Sequence, residues 1–440
     1  MPNSAPVPTF TSFMTTVLTL LGVAVGLGNV WRFPYMMGTY GGSAFLLVFI
    51  VLMIVIAVPA LMCELALARA HRGATITVLH KSFGPLGRLL CYILVIGVLL
   101  TGSYYTLVVG NDFYSAWYVV VHGFSPDNLA DYSQGLGNSG LQFTVGIAVL
   151  WAAIFVIWRG LKGGIERVSE TFVPFFFLVA VYLVYVALNL PGAGAAMREF
   201  LRPDFSQIGI TELFAALGQC FFSVGLGASF ALVYGKFISN DTNLGSVAIL
   251  SASGDTLASL LATLFIVPTV IVFGMELNGG PTLLFETLPT LLTQMPAGRA
   301  FGGFLLVALS LVSFLSAVAV FQVVTVSLEE EPIGQWLGKP RLLLLIGLAE
   351  TTVMIYPGWH PEIIGILDLI IGSGFMVTGG LLAVLAITWS YGKSNALQQI
   401  FTNDNPGVVD RLIFLWMRYV IPIALTGILI ATIIGAISGE

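Results

Sequence analysis

The segment from Gly22 to Pro34 reads GVAVGLGNVWRFP, and it lies inside an apolar stretch long enough to cross a membrane. Besides its glycines it holds the amide of Asn29 and the guanidinium of Arg32. Glycine in a helix interior costs roughly 1 kcal/mol relative to alanine, and a charged arginine at bilayer depth costs about 2.5 kcal/mol or more. Unwound backbone is tolerated at that depth only where protein or water surrounds it. We therefore predict a broken helix whose free carbonyls and amides hold an ion and an anionic group, as a transporter site requires.

The composition is that of a polytopic membrane protein. Of 440 residues, 57% are hydrophobic and only 9% are charged, whereas about 25% are charged in soluble domains. The sequence contains no cluster of basic residues of the kind that binds nucleic acid. We also find no nucleophile turn, phosphate loop or metal-ligand spacing that would indicate an enzyme. The three cysteines lie in apolar segments, which favours buried thiols over disulfides. The first residues lack the charged start of a cleaved signal peptide.

Eleven apolar segments are long enough to span a membrane. They cover residues 11–37, 42–68, 88–121, 141–158, 168–189, 211–238, 245–275, 303–328, 340–357, 362–390 and 411–437. With a cytoplasmic N-terminus, the inner loops carry twelve Lys and Arg residues and the outer loops three. Because cytoplasmic loops are enriched in basic residues, we predict a multi-pass protein of the cell inner membrane, with its C-terminus extracytoplasmic.

A second interruption lies in the sixth segment, which reads GQCFFSVGLGASFALVYG. The broken first and sixth segments each open a set of five. Glycine-interrupted helices at corresponding positions of two halves indicate a midplane binding site in an inverted-repeat transporter. We therefore predict one transporter domain over residues 1–437, with repeats at 11–189 and 211–390 and an additional eleventh helix at 411–437.

Several motifs resemble those of the neurotransmitter:sodium symporter family, in particular its bacterial amino-acid transporter branch. The run VGLGNVWRFPY is followed, in order, by GGSAFLL, MCELALAR, SYYTLVVG, GQCFFSVGLG, GDTLAS, SFLSAVAVFQ and LDLIIGSG. The similarity extends over nearly the whole chain. It implies an all-α polytopic membrane protein with eleven transmembrane helices, a five-plus-five inverted repeat and broken first and sixth helices, which is the LeuT-like fold.

The resemblance also implies a substrate site. Half-helix N-termini present free N–H groups and a positive dipole end to an anion, and the Tyr105 hydroxyl would join them on the substrate carboxylate. The alternative for Tyr105 is an ordinary buried tyrosine. The rest of the pocket is apolar or small and offers no acid to a distal amine, so we predict a neutral, fairly large hydrophobic amino acid. The implied substrate-binding residues are Val23, Ala24, Gly26, Leu27, Gly28, Thr101, Tyr105, Phe222, Ser223, Gly225, Ala228, Ser316 and Val320.

A first cation site follows from the same resemblance. It would use the Ala24 carbonyl, the side chains of Asn29 and Ser223, and Asp255 in the seventh segment. The family commonly has an amide where this chain has Asp255. An ionisable residue inside a span indicates function, and a structural, protonated acid is the alternative.

Chloride-dependent relatives place an anion near this site. Ser259 and Gln219 match its neighbours, but Phe49 stands where a tyrosine hydroxyl belongs. We therefore predict chloride-independent transport in which Asp255 supplies the negative charge, and Asp255 is also a candidate proton carrier.

The second cation site is where the chain departs most from the family. The pattern uses the carbonyls of Gly22, Val25 and Val312 and two hydroxyls in the eighth segment. Ser316 matches one hydroxyl, but Leu315 occupies the other position and offers no oxygen. We therefore predict a weak or missing second site, which makes proton coupling a serious alternative.

Two gates are implied as well. Arg32 and Asp368 would meet across the extracellular path. The alternative is that the two side chains lie in a water-filled vestibule without pairing. At the cytoplasmic end, residues 329–331 are three glutamates, but no basic residue precedes Arg32. Packing by Thr9, Phe10 or Ser12 could close this side, or Lys236 could supply the base. From the missing base we predict that the inward-open state is easy to reach.

Together these features predict a secondary active symporter that imports a neutral hydrophobic amino acid by alternating access. One or two sodium ions drive it, with a proton as the alternative coupling ion. Two alternatives from other functional classes remain, which are a channel and a non-transporting amino-acid sensor of the same fold. The predicted partners are the amino acid and the lipid bilayer, with no nucleic acid, in a monomer or weak homodimer.

Overall fold

The computed structural model describes residues 8–275, 277, 283–368, 376–402 and 405–438, the last eight as backbone only. Regular structure in this part of the chain is helical, with no β-strand. Eight of its helices are long and apolar enough to cross a membrane. They form spans 2–5, 7–9 and 11, which are Ser43–His71, Thr75–Val121, Ser139–Trp158, Leu161–Leu188, Leu244–Val272, Gly298–Glu329, Pro332–Trp359 and Val408–Ser438.

The other three spans consist of shorter helices. Span 1 is the pair Phe13–Ala24 and Gly28–Thr39, which meet at 65°. Span 6 is Ile210–Ser223 with Phe230–Gly235, and span 10 includes Ile364–Leu367 and Met376–Ser390. Residues 369–375, which hold most of the LDLIIGSG motif, lie outside the described residues. The predicted all-α fold of eleven spans with broken first and sixth helices is thus confirmed.

Spans 3 and 9 begin earlier than predicted. The sequence placed their starts at residues 88 and 340, whereas the helices begin at Thr75 and Pro332. Gly84 (φ +63°) and Gly338 (φ +69°) separate a short leading helix from each span. The hydropathy pattern missed these leading turns because they are more polar than the spans they precede.

In span 1 the break brings main-chain polar groups against two other spans. Val25 is extended (φ −73°, ψ 124°) and ends the first half-helix. The N–H of Gly26 donates to Oδ1 of Asn29 at 2.9 Å, a side-chain substitute for a helical bond. A Cβ at Gly28 would lie 2.5 Å from the Phe222 ring of span 6. The glycines therefore allow a close approach that alanine would obstruct.

Residues with a left-handed backbone conformation form the break in span 6. Gly227 has φ +84°, and a Cβ there would lie 1.5 Å from the carbonyl oxygen of Met376 in span 10. The two backbones therefore touch at a point where only glycine fits. Glu64 of span 2 is fully buried beside the Gly227 backbone, which places this acid behind the break.

Span 8 runs through the centre of the bundle, and 78% of its most apolar window is buried, the largest share among the eight long helices. It packs against spans 3, 4 and 5 and against the first half of span 1. Spans 3 and 8 therefore lie beside the broken halves of spans 1 and 6, and side chains of all four spans line one cavity.

Candidate transport site

A cavity of ≈ 780 Å³ lies where the two broken spans meet. Its deep end is formed by the breaks in spans 1 and 6 and by side chains of spans 3, 8 and 10. Its other end is lined by Arg32, Asp368 and the exposed residues Pro361 and Gly365. The cavity therefore opens on the side of Arg32 and Asp368, which we call the mouth.

Twelve of the thirteen residues predicted to bind substrate line this cavity. Ala228 differs, because it lines an adjacent cavity of ≈ 20 Å³ together with Thr101 and Val320. The lining residues that sequence reasoning missed include Tyr104, Val108, Asn111, Phe230, Phe285 and Met376. Helical spacing from Thr101 and Tyr105 could have identified Val108, which lies on the same face of span 3. The other missed residues reach the cavity through packing between segments that are distant in the sequence.

Three of the four predicted ligands of the first cation site contact one another. The Asn29 amide donates to Asp255 Oδ1 at 2.7 Å, and the Ser223 hydroxyl donates a short hydrogen bond to Asp255 Oδ2. All three side chains are buried. Ala24, the fourth predicted ligand, ends the first half of span 1 and lines the cavity beside them. Hard cations take carboxylate, hydroxyl, amide and carbonyl oxygens, so this donor set fits an ion such as sodium.

The neighbourhood that resembles a chloride site is apolar on one side. Phe49 is fully buried and packs edge to face on Phe33, with 4.9 Å between ring centroids. Ser259 accepts a hydrogen bond from the Asn29 amide at 2.8 Å. The side chain of Gln219 is buried and has no hydrogen-bond partner within the described residues. The site thus has a hydroxyl and an amide, while a phenyl ring stands in the tyrosine position.

Leu315 covers the predicted second cation site. Its Cδ1 lies 2.9 Å from the point where a Cβ of Gly22 would be, and its side chain is buried. The Ser316 hydroxyl donates to the Val23 carbonyl at 3.1 Å. A branched hydrocarbon therefore lies against the span 1 backbone where the pattern needs a hydroxyl, which leaves Gly22, Val25, Val312 and Ser316 as an incomplete ligand set.

At the mouth, the predicted gate pair is not formed in this structure. No salt bridge joins the described residues Arg32 and Asp368. The Arg32 guanidinium lies over the Phe222 ring, 4.6 Å from its centroid, and the Tyr104 hydroxyl donates to Asp368 at 3.1 Å. Each gate residue thus has another partner, and the cavity is open between them.

The opposite, N-terminal side is closed. The Phe10 ring packs edge to face on Phe237 at 6.2 Å, and its N–H donates to the Phe237 carbonyl at 2.9 Å. Lys236 pairs with Glu330 at 2.8 Å. Of the alternatives raised by the sequence, packing by Phe10 and a base at Lys236 are therefore both present.

The Glu330 carboxyl is held by several donors. Burial raises the pKa of Glu330, but hydrogen bonds from Lys236, the Ala74 backbone and Thr77 outweigh burial and lower this pKa from its ordinary value. A carboxylate with a lowered pKa stabilises its folded contacts above its ordinary pKa and loses that contribution as pH falls through the lowered value. The Glu330 carboxyl is therefore ionised at neutral pH, where it accepts from Lys236.

Comparisons with known proteins agree with this architecture. The family model described as the sodium:neurotransmitter symporter family matches residues 8–127 and 116–438. A protein of Bacillus subtilis named a sodium-dependent transporter is 29% identical over 447 residues, covering 96% of each chain. One of Haemophilus influenzae with a similar name is 29% identical over 367 residues, covering 79% of each chain. The crystal structure of MhsT in complex with L-phenylalanine aligns with a TM-score of 0.86 at 25% identity, covering 97% of this chain and 99% of that one.

The family model spans nearly all of the described chain, and the broken spans, the cavity between them and the structural alignment all point to the same fold. Members of this family are membrane transporters rather than enzymes. The chain belongs to the sodium:neurotransmitter symporter family.

Proposed function

We propose that the protein imports a neutral, hydrophobic amino acid by alternating access, driven by a sodium gradient and independent of chloride. The observation that carries this proposal is the cavity at the two helix breaks, open at one end and closed at the other, with Asp255, Asn29 and Ser223 beside it. The sodium-dependent names of the relatives support the choice of ion.

The cavity lining supports the substrate class. Its deep end presents Val23, Phe222, Phe230 and Val320, with no acidic side chain among them. The backbone at Gly26 and Gly28, together with the Tyr105 hydroxyl, suits the α-carboxylate. The similar transporter MhsT was solved with L-phenylalanine, an amino acid of the chemistry this lining favours.

The orientation and repeat structure belong to the same proposal. The excess of basic residues on one side assigns the closed, N-terminal side to the cytoplasm and the mouth to the outside. Spans 1–5, within residues 11–189, and spans 6–10, within 211–390, act as the inverted repeats, and residues 411–437 are the additional helix. The protein lies in the cell inner membrane and works as a monomer or weak homodimer.

Chloride independence rests on Asp255 and Phe49. The buried carboxylate of Asp255 supplies a fixed negative charge beside the cation, while Phe49 offers no hydroxyl to an anion. An added chloride would therefore meet charge repulsion and too few donors.

The decisive experiment is uptake of a labelled amino-acid mixture into proteoliposomes under sodium, lithium and proton gradients in turn. We expect saturable uptake of large hydrophobic amino acids under the sodium gradient, with the same rate in chloride and gluconate. Unsaturable flux would indicate a channel, and binding without uptake would indicate a sensor. A steep rise with chloride would contradict the assignment of Asp255.

A second candidate, proton-driven uptake, is favoured by Leu315 at the second cation site. If that leucine blocks a second ion, Leu315→Thr should introduce the missing hydroxyl and strengthen sodium activation. We expect roughly tenfold tighter activation, about 1.4 kcal/mol, and a change from a hyperbolic to a sigmoidal sodium dependence. Uptake measured against sodium concentration tests this, and Leu315→Val controls for shape because it matches threonine without the oxygen. Equal sodium dependence in Leu315→Thr and Leu315→Val would show that Leu315 does not block a second sodium ion.

Glu330→Gln should loosen the closed cytoplasmic side. The substitution removes the charge that pairs with Lys236, so the inward-open state gains population. Leu20 is buried in the first half of span 1, on the N-terminal side of the break. In a Leu20→Cys background, we expect a membrane-impermeant thiol reagent added from that side to react several-fold faster.

Glu329→Gln is the matched control for this experiment. It removes a neighbouring acid whose contact with Lys339 is long, at 3.8 Å, and more exposed, and exposed pairs contribute about 0–1 kcal/mol. Equal labelling rates in both variants would contradict the role of Glu330. The three native cysteines are buried, so unmodified protein measures the background.

A further inference from the structure

Asp112 in span 3 is a buried carboxyl that the proposed mechanism does not use. Its side chain is 0% exposed, and neither carboxyl oxygen has a hydrogen-bond partner within the described residues. An ionised carboxylate without a partner is very costly to bury, and such a group takes up a proton instead. Asp112 therefore stands in a place that favours its neutral form.

Across the interface between spans 3 and 8, Asp112 meets Ser313. The Ser313 hydroxyl lies beside the carboxyl, is fully buried, and is likewise outside hydrogen-bond geometry with every described group. The two side chains form an isolated polar pair in an apolar interface.

This pair leads to the substrate site. Tyr105 lies seven residues before Asp112, two helical turns away on the same face of span 3. Its hydroxyl lies beside Ser313 and Ser316 and also next to the Gly26 backbone in the cavity. The Asp112 carboxyl and the hydroxyls of Ser313 and Tyr105 therefore lie in a row that ends at the cavity, with no hydrogen bond joining Asp112 to Ser313 in this structure.

Few other ionisable groups face Asp112. Besides Tyr105, the phenol of Tyr132 on helix Leu129–Leu136 is near it, and that phenol shares a hydrogen bond with Ser115. Span 4, which packs closely at Gly110, contains no ionisable residue. Span 8 carries ionisable residues only near its ends, at Arg299 and Glu329. The protonation of Asp112 is thus not set by a nearby countercharge.

We propose that Asp112 is a proton-binding site whose protonation directs the Tyr105 hydroxyl toward the substrate carboxylate. With Asp112 protonated, its O–H donates to Ser313, Ser313 donates to the Tyr105 oxygen, and the single Tyr105 proton points into the cavity. With Asp112 ionised, the row reverses, because Ser313 donates to the carboxylate and Tyr105 donates to Ser313. Substrate then loses its phenolic donor.

The inference rests on the proposed function, since it requires an amino-acid carboxylate at Tyr105. Its test is the binding of labelled L-phenylalanine to purified protein in sodium, measured across a range of pH. We expect affinity to fall by up to about tenfold per pH unit above the pKa of Asp112. Asp112→Asn keeps an N–H donor at all pH values, so this variant should bind tightly with no such slope.

Glu350 in span 9 supplies the matched control. It too is fully buried, with both carboxyl oxygens unpartnered within the described residues, and it lies beside Gly102 rather than Tyr105. Glu350→Gln should keep the pH slope of the unmodified protein. The proposal is overturned if Asp112→Asn keeps the slope, if the unmodified protein shows none, or if Glu350→Gln abolishes it.

A measurement independent of substrate separates failure of this inference from failure of the proposed function. Infrared difference spectra over the same pH range should show a protonated carboxyl band that titrates in the unmodified protein and is missing in Asp112→Asn. If L-phenylalanine does not bind and that band is present, the proposed substrate class fails and the proton site stands. If the unmodified protein and Asp112→Asn give the same spectra, the assignment of Asp112 as a proton site is wrong, whatever the protein transports.

Discussion

We expect Asp255→Ala to lower sodium-driven amino-acid uptake by about 100-fold or more at low sodium. The substitution removes the one carboxylate of the proposed first cation site, to which the Asn29 and Ser223 side chains donate, while the Asn29 amide keeps its bond to Ser259. Removing one partner of a buried charge pair costs about 3–5 kcal/mol because the other charge stays uncompensated, and a loss of that size weakens sodium binding by about 100-fold or more. Uptake into proteoliposomes as a function of sodium concentration measures the loss.

Asp255→Asn separates the oxygen ligand from its charge. The amide keeps an oxygen acceptor in the same place but carries no negative charge, as is common in the family. We expect this variant to keep measurable uptake with weaker sodium activation, and Phe49, which offers no hydroxyl to an anion, should keep it insensitive to chloride. Unchanged sodium activation in Asp255→Ala would show that the cation binds elsewhere.

We expect Gly227→Ala to abolish transport and sharply reduce the yield of folded protein. The residue has φ +84°, where a side chain costs roughly 1–2 kcal/mol. The new Cβ would also lie 1.5 Å from the carbonyl oxygen of Met376, and such overpacking adds about 1–3 kcal/mol or more. The break in span 6 could then form only if span 10 moved away. Thermal unfolding of the purified protein and uptake in proteoliposomes provide the two measurements.

Gly218→Ala is the matched control in the same span. Gly218 lies inside helix Ile210–Ser223, and an added Cβ there would meet no atom within 4 Å. Alanine in a helix interior is favoured by about 1 kcal/mol over glycine, so this variant should unfold at the same or a higher temperature and transport normally. If both alanine variants behave alike, backbone contact at Gly227 is not what shapes the site.

The same pair of glycines shows how far sequence reasoning reaches. The pattern GQCFFSVGLG marks a break in span 6, since several glycines in an apolar helix are locally unfavourable. It does not distinguish Gly218, which is helical, from Gly227, which touches another backbone. That difference depends on span 10, more than a hundred residues away, so no local pattern contains it.

For the two predicted cation sites as well, residue types were readable from the sequence but contacts were not. The absence of an oxygen at Leu315 could be seen from the residue type alone, and so could the carboxyl at Asp255. The sequence did not reveal that Leu315 lies against Gly22, or that Asn29 and Ser223 both bond to Asp255. Arg32 and Asp368, the predicted gate pair, both line the mouth, and their role as a gate stays a prediction because each has another partner here.

The sequence by itself determined the membrane class, the number of spans and the two breaks, because hydropathy and glycine content act locally, within one or two helical turns. Only the tertiary structure decided that Phe10 and Lys236 close one side, that the mouth is open, and that Asp112 faces Ser313. Those contacts join residues far apart in the chain, and they depend on how the helices rotate and tilt against one another. A helix sequence shows which residues share a face, but the neighbouring helices determine what that face meets.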